Sequence, residues 1–100
     1  MKIKIPEKSV EDAEKFIRRC GYGRIFNRKI NKISYARRLR GSFYPRFHIY
    51  MIIKTNSIEI NLHLDQRQTR YKGVTAHSGE YSGELVQDEA KRIKNRISAS

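Results

Sequence analysis

Residues 46–65 read RFHIYMIIKTNSIEINLHLD. Phe47, Ile49, Met51 and Ile53 alternate with His48, Tyr50 and Ile52. Ile58, Ile60, Leu62 and Leu64 alternate with Glu59, Asn61, His63 and Asp65. Apolar residues at every second position mark a strand with one buried face. Thr55, Asn56 and Ser57 between the two runs have turn composition, so the stretch reads as a β-hairpin. A slip of one residue would send a whole apolar set to the wrong side, and this fixes the register. Ile53 is then expected opposite Ile58, Met51 opposite Ile60, Ile49 opposite Leu62 and Phe47 opposite Leu64. The same register sets His48 against His63, Arg46 against Asp65, Tyr50 against Asn61 and Ile52 against Glu59. Opposed side chains have Cβ atoms about 4.5–5.5 Å apart. Two imidazoles, a carboxylate and an arginine are therefore expected as neighbours on the face away from the core.

Towards the N-terminus, residues 24–40 form a second, strongly basic hairpin in this reading, with strands near 24–28 and 33–39. Residues 9–20 are an amphipathic helix. Ser9 is its N-cap, Val10, Ala13, Ile17 and Cys20 its apolar stripe, and Gly21 its stop. Lys2 to Ile5 alternates Lys and Ile as a short edge strand would, and Pro6 ends it. Beyond the central hairpin comes a loop over 66–83, then a helix over 84–97 with Val86, Ala90, Ile93 and Ile97 on one face. The expectation is a single α+β domain over residues 1–100. It has an antiparallel sheet of about four strands, with an N-terminal and a C-terminal helix packed on one face. The helices cover the Phe47, Ile49, Ile58 and Leu62 side, which leaves the histidine face open or roofed only by the long loop.

The formal net charge is +12. Twelve Lys and Arg residues and no acid lie between Lys15 and Ile58, while the rest of the chain is neutral overall. Clustered positive charge attracts polyanions. Arg24, Arg28, Lys29, Lys32, Arg37, Arg38, Arg40 and Arg46, with Tyr35, Tyr44 and Tyr50 interleaved, are the expected nucleic-acid contacts. Arginine suits phosphate, and rings suit base stacking. Equally, such rings can be half-buried core residues of strands. No apolar run is long enough for a signal peptide or a membrane span. The single Cys20 allows neither an internal disulfide nor a cysteine zinc site, so a reducing, cytoplasmic setting is expected. No GxxxxGK loop is present, which excludes a P-loop nucleotide site.

All three histidines, His48, His63 and His77, fall in residues 46–80 with Asp65 and Glu80. Imidazole and carboxylate are the ligands of a divalent transition metal, and His48, His63, Asp65, His77 and Glu80 are the candidate set. Without metal, His48 and His63, with Asp65 beside them, can act as general base and acid on a phosphodiester. Imidazole titrates near pH 6.5 when unperturbed. The bland alternative is that these are ordinary strand and turn residues.

YPRFH at 44–48, NLHLDQ at 61–66 and AHSGEY at 76–81, followed by a helix with Glu89 and Arg92, resemble a group of small uncharacterised bacterial proteins. The resemblance covers roughly the second half of the chain and implies no activity and no site. Three functions stand as expectations. The first is a small cytoplasmic domain that binds nucleic acid, RNA ahead of DNA. The second is a metal-dependent or histidine-pair phosphodiesterase. The third is an interaction module for an acidic protein.

Overall fold

In the computed structural model, residues 1–39, 41, 44–66 and 83–99 are described. The elements follow the order β1 (Lys2–Ile5), α1 (Val10–Arg19), β2 (Gly23–Asn27), β3 (Lys32–Arg38), β4 (Arg46–Ile53), β5 (Ile58–Asp65) and α2 (Glu84–Ala99). All five strands form one antiparallel sheet in the order β1-β5-β4-β3-β2. β2 to β5 are therefore a meander, and β1 is added at its β5 edge. The strand count is five rather than about four because Ile3 and Ile5 pair with Ile60 and Ile58 and are buried there.

Every pair expected of the central hairpin is found, from Arg46 with Asp65 to Ile53 with Ile58. Ile49, Ile60 and Leu62 are wholly buried. Each such side chain contributes about 1.5–3 kcal/mol relative to exposure.

Both helices pack on this apolar face. α1 starts at Ser9, whose Oγ accepts from the Asp12 amide at 3.1 Å. Glu11 and Asp12 stand in its first turn and Arg18 and Arg19 in its last, as the helix dipole favours. Ala13, Phe16 and Ile17 are its buried residues. The helix carries the chain from β1 at one edge of the sheet to β2 at the other. Four strand spacings span about 19 Å. A 10-residue helix covers about 15 Å of that distance. Gly21, at φ +101°, then turns the chain into β2, a conformation that side chains other than glycine rarely adopt. α2 adds Val86, Ala90 and Ile93 to the core.

A buried ionic clasp joins the two helices. Glu89 of α2 is only 4% exposed. It accepts a hydrogen bond from the Tyr22 hydroxyl and two from Arg92, Nε to Oε1 at 2.6 Å and Nη2 to Oε2 at 2.9 Å. Arg92 Nη2 also donates to the Cys20 carbonyl at the end of α1, at 2.6 Å. Arg37 Nη1 approaches Glu89 at 3.7 Å. Burial, with the Glu89 hydrogen bond and charge, pushes the Tyr22 hydroxyl far above its usual value, so it stays a donor. Tyr35 repeats the device on α1: its hydroxyl donates to Glu14 Oε2 at 2.6 Å. Burial and Glu14 push it up to about 12.

The β2–β3 hairpin outruns the rest of the sheet. Phe26 pairs with Ile33, and Lys32 and Ile33 pair with β2 but not with β4. Asn31 turns the chain at φ 51°, and Asn27 Oδ1 accepts from the Lys29 amide at 3.1 Å. Phe26, Ile30 and Ile33 are exposed at this end among Arg28, Lys29 and Lys32.

Glu89→Ala leaves Arg92 and Tyr22 without their shared acceptor in a buried setting. It is expected to destabilise the fold by about 3–5 kcal/mol, measured as a lowered urea midpoint.

Candidate site where two histidines meet one carboxylate

The site lies on the sheet face opposite the helices and is made by three adjacent strands. In β3, Ile33 and Tyr35 point to the helix side, so Ser34, Ala36 and Arg38 share the other side. Ala36 pairs with His48 of β4, and His48 in turn pairs with His63 of β5. Asp65 follows His63 by two residues and therefore points the same way.

Asp65 stands between the two rings. Its Oδ2 is 2.9 Å from His48 Nδ1 and its Oδ1 is 2.8 Å from His63 Nε2. Arg46 Nε donates to Oδ2 at 3.4 Å. On its far side, His48 Nε2 is 2.7 Å from Ser34 Oγ. The two imidazole centroids are 4.9 Å apart. Tyr50 lies 4.6 Å from the His48 ring and 5.7 Å from the His63 ring, nearly parallel to the latter. The histidine face is therefore not open here: His48 is 7% exposed and His63 5%. Mutual packing of the rings accounts for part of this burial.

Burial alone would raise the Asp65 carboxyl. The close approach of the His48 and His63 rings outweighs it, and the group is held well below the usual carboxylate range. Asp65 is thus an anion wherever the fold is intact near neutrality. The His48 contact is close but poorly aligned: Nδ1 is buried and makes no hydrogen bond of good geometry despite the 2.9 Å approach. We read it as a charge contact rather than a formed hydrogen bond.

Of the five candidate metal ligands, His48, His63 and Asp65 come together, each offering a donor atom within 4.8 Å of the others. His77 and Glu80 lie outside the described residues, as does Arg40. The candidate nucleic-acid contacts divide. Arg24, Arg28, Lys29, Lys32, Arg38 and Tyr44 are exposed. Tyr50 is half-buried against the imidazoles. Arg46 is held between Asp65 and the Tyr44 ring, its guanidinium carbon 4.8 Å from the ring centroid. Tyr35 and Arg37 are turned to the helix side by the β3 alternation. Tyr35 is 2% exposed and bonded to Glu14, and Arg37 is half-buried against Glu89, so both serve the fold.

Ser34 was not anticipated. The alternation of Ile33, Ser34 and Tyr35 carried the signal, but only the pairing of β3 with β4 shows that Ser34 meets His48. No protein-family model, curated protein or solved structure matches the chain.

Asp65→Ala leaves two buried imidazoles without their acceptor and should cost about 1–3 kcal/mol near neutral pH. Because the folded carboxyl sits below its unfolded value, the contribution is complete above about pH 4 and is lost as pH falls towards the depressed value. Urea midpoints of wild type and variant should therefore converge as the pH is taken down from 7 to 3.

Proposed function

We propose that this chain is a small nucleic-acid-binding domain that prefers RNA to DNA. The observation that supports this reading is the unbroken basic segment between Lys15 and Ile58, much of which lies on the projecting β2–β3 hairpin. Arg24, Arg28, Lys29 and Lys32 are exposed there beside Phe26, Ile30 and Ile33. Cations reach phosphates without reading sequence, and an exposed ring offers a stacking surface to an unpaired base. Unpaired bases are the usual targets of sequence-specific RNA recognition, hence the preference. Arg38 and Arg46, opposed across β3 and β4, extend positive charge onto the histidine face.

A second reading, phosphodiester cleavage, is favoured by one observation. His48, His63 and Asp65 converge on the same face as Arg38 and Arg46, so a bound phosphate and two imidazoles would be near each other. In that reading one imidazole removes a proton from the attacking hydroxyl and the other donates one to the leaving oxygen.

Fluorescence anisotropy with short single- and double-stranded RNA and DNA, over a salt series, tests both. The logarithm of affinity should fall linearly with the logarithm of salt. An Arg28→Ala/Lys29→Ala/Lys32→Ala variant should lower the slope by about 2 on single strands. Affinity indifferent to salt and to these substitutions contradicts the binding reading. RNA recovered intact keeps the assignment at binding. Cleavage that His63→Ala abolishes, with binding retained, moves it to the second reading.

A further inference from the structure

We propose that His48, His63 and Asp65 are the ligands of a divalent first-row transition metal ion, and that Ser34 positions His48 for it. The inference goes beyond nucleic-acid binding and does not depend on it. Two imidazole nitrogens and a carboxylate are the donor set that zinc, iron, nickel and manganese accept. Three protein ligands leave coordination positions for water or substrate.

The distances suit the assignment. Metal–ligand bonds of about 2.1 Å place two ligands at a right angle about 3 Å apart and opposite ligands about 4.2 Å apart. Asp65 meets the two ring nitrogens at 2.9 and 2.8 Å, and all three donors lie within 4.8 Å of one another. Side-chain rotations that close the widest of these separations would bring all three donors to one ion.

The state of His48 is the second, independent observation. The side chain is more than nine-tenths buried, and its Nδ1 is aimed at Asp65 without an aligned hydrogen bond. Its Nε2 is 2.7 Å from Ser34 Oγ. If Nε2–H donates to Ser34, Nδ1 is an unprotonated nitrogen 2.9 Å from the carboxylate, and a cation held by both relieves the repulsion. Metal-bound histidines commonly donate their other ring N–H to such a partner, which fixes tautomer and orientation. Arg46, on the outer side of Oδ2, orients the carboxylate in the same way.

The same three groups read in the opposite polarity, with Ser34 O–H donating to Nε2 and Nδ1–H to Asp65, have the connectivity of a Ser-His-Asp triad. Ser34 is 5% exposed, however, so its oxygen is poorly placed to meet an acyl substrate.

The full chain, treated with chelator and dialysed, would be titrated with Co(II) and Zn(II) by visible absorption and calorimetry. One equivalent of each is expected. Asp65→Asn and His63→Ala should abolish it, and Ser34→Ala should weaken it about 10–100-fold with stoichiometry unchanged. Circular dichroism checks that each variant is folded. Imidazole 15N spectra of the wild type decide the matter if the variants are not. Zn(II) should then shift His48 Nδ1 and His63 Nε2 and leave His48 Nε2 protonated. No stoichiometric binding by the wild type, binding that survives in folded Asp65→Asn and His63→Ala, or shifts confined to His77 would overturn the proposal.

Discussion

The pairing of β4 with β5 is the constraint on which the rest of the molecule depends. One register buries Phe47, Ile49, Leu62 and Leu64 together and sets His48 against His63 on the reverse side. Core and site are thus two faces of a single decision. A slip of β5 by one residue would expose Ile58, Ile60, Leu62 and Leu64 and turn Glu59, Asn61, His63 and Asp65 against the helices. Burial of unpaired polar groups and loss of apolar burial would both oppose it. The histidine face is in this sense held in place by the hydrophobic one.

Among the described residues, Glu89 and Asp65 are carboxylates largely withdrawn from water, and their partners differ in kind. Glu89 meets Arg92 and Arg37, whose charge is permanent, and a tyrosine hydroxyl that remains protonated. The consequence of that group is to lock α2 against the end of α1, the turn before β2 and strand β3. Asp65 meets two imidazoles, which can give up a proton or take a metal in its place. The first arrangement suits a clasp and the second suits chemistry. The basic hairpin beyond them is exposed and unpaired with β4 at its tip.

The sequence displayed some of this plainly and some of it not at all. The central hairpin was legible to the residue, because eight alternating positions on each strand admit one register. β1 was legible as a short edge strand but its partner β5 was not, since four residues do not announce what they pair with. Tyr35 and Arg37 read as nucleic-acid contacts because their basic neighbourhood concealed which side of β3 they occupy. Nothing in the apolar spacing of α2 marked Glu89 for burial. Its burial follows from Tyr22 and Arg37 arriving from two other places in the chain to join Arg92 of the same helix, a coincidence of tertiary structure. The same holds for Ser34 at His48, which requires the β3–β4 register.

A NOESY spectrum of the histidine and tyrosine rings measures that central register most directly. Cross-peaks between the His48 and His63 rings, and between His63 and Tyr50, are expected from centroid separations of 4.9 and 5.7 Å. Cross-peaks from the His63 ring to Phe47 or Ile49 in their place would mean a slipped register, and would remove both the core and the histidine site described above.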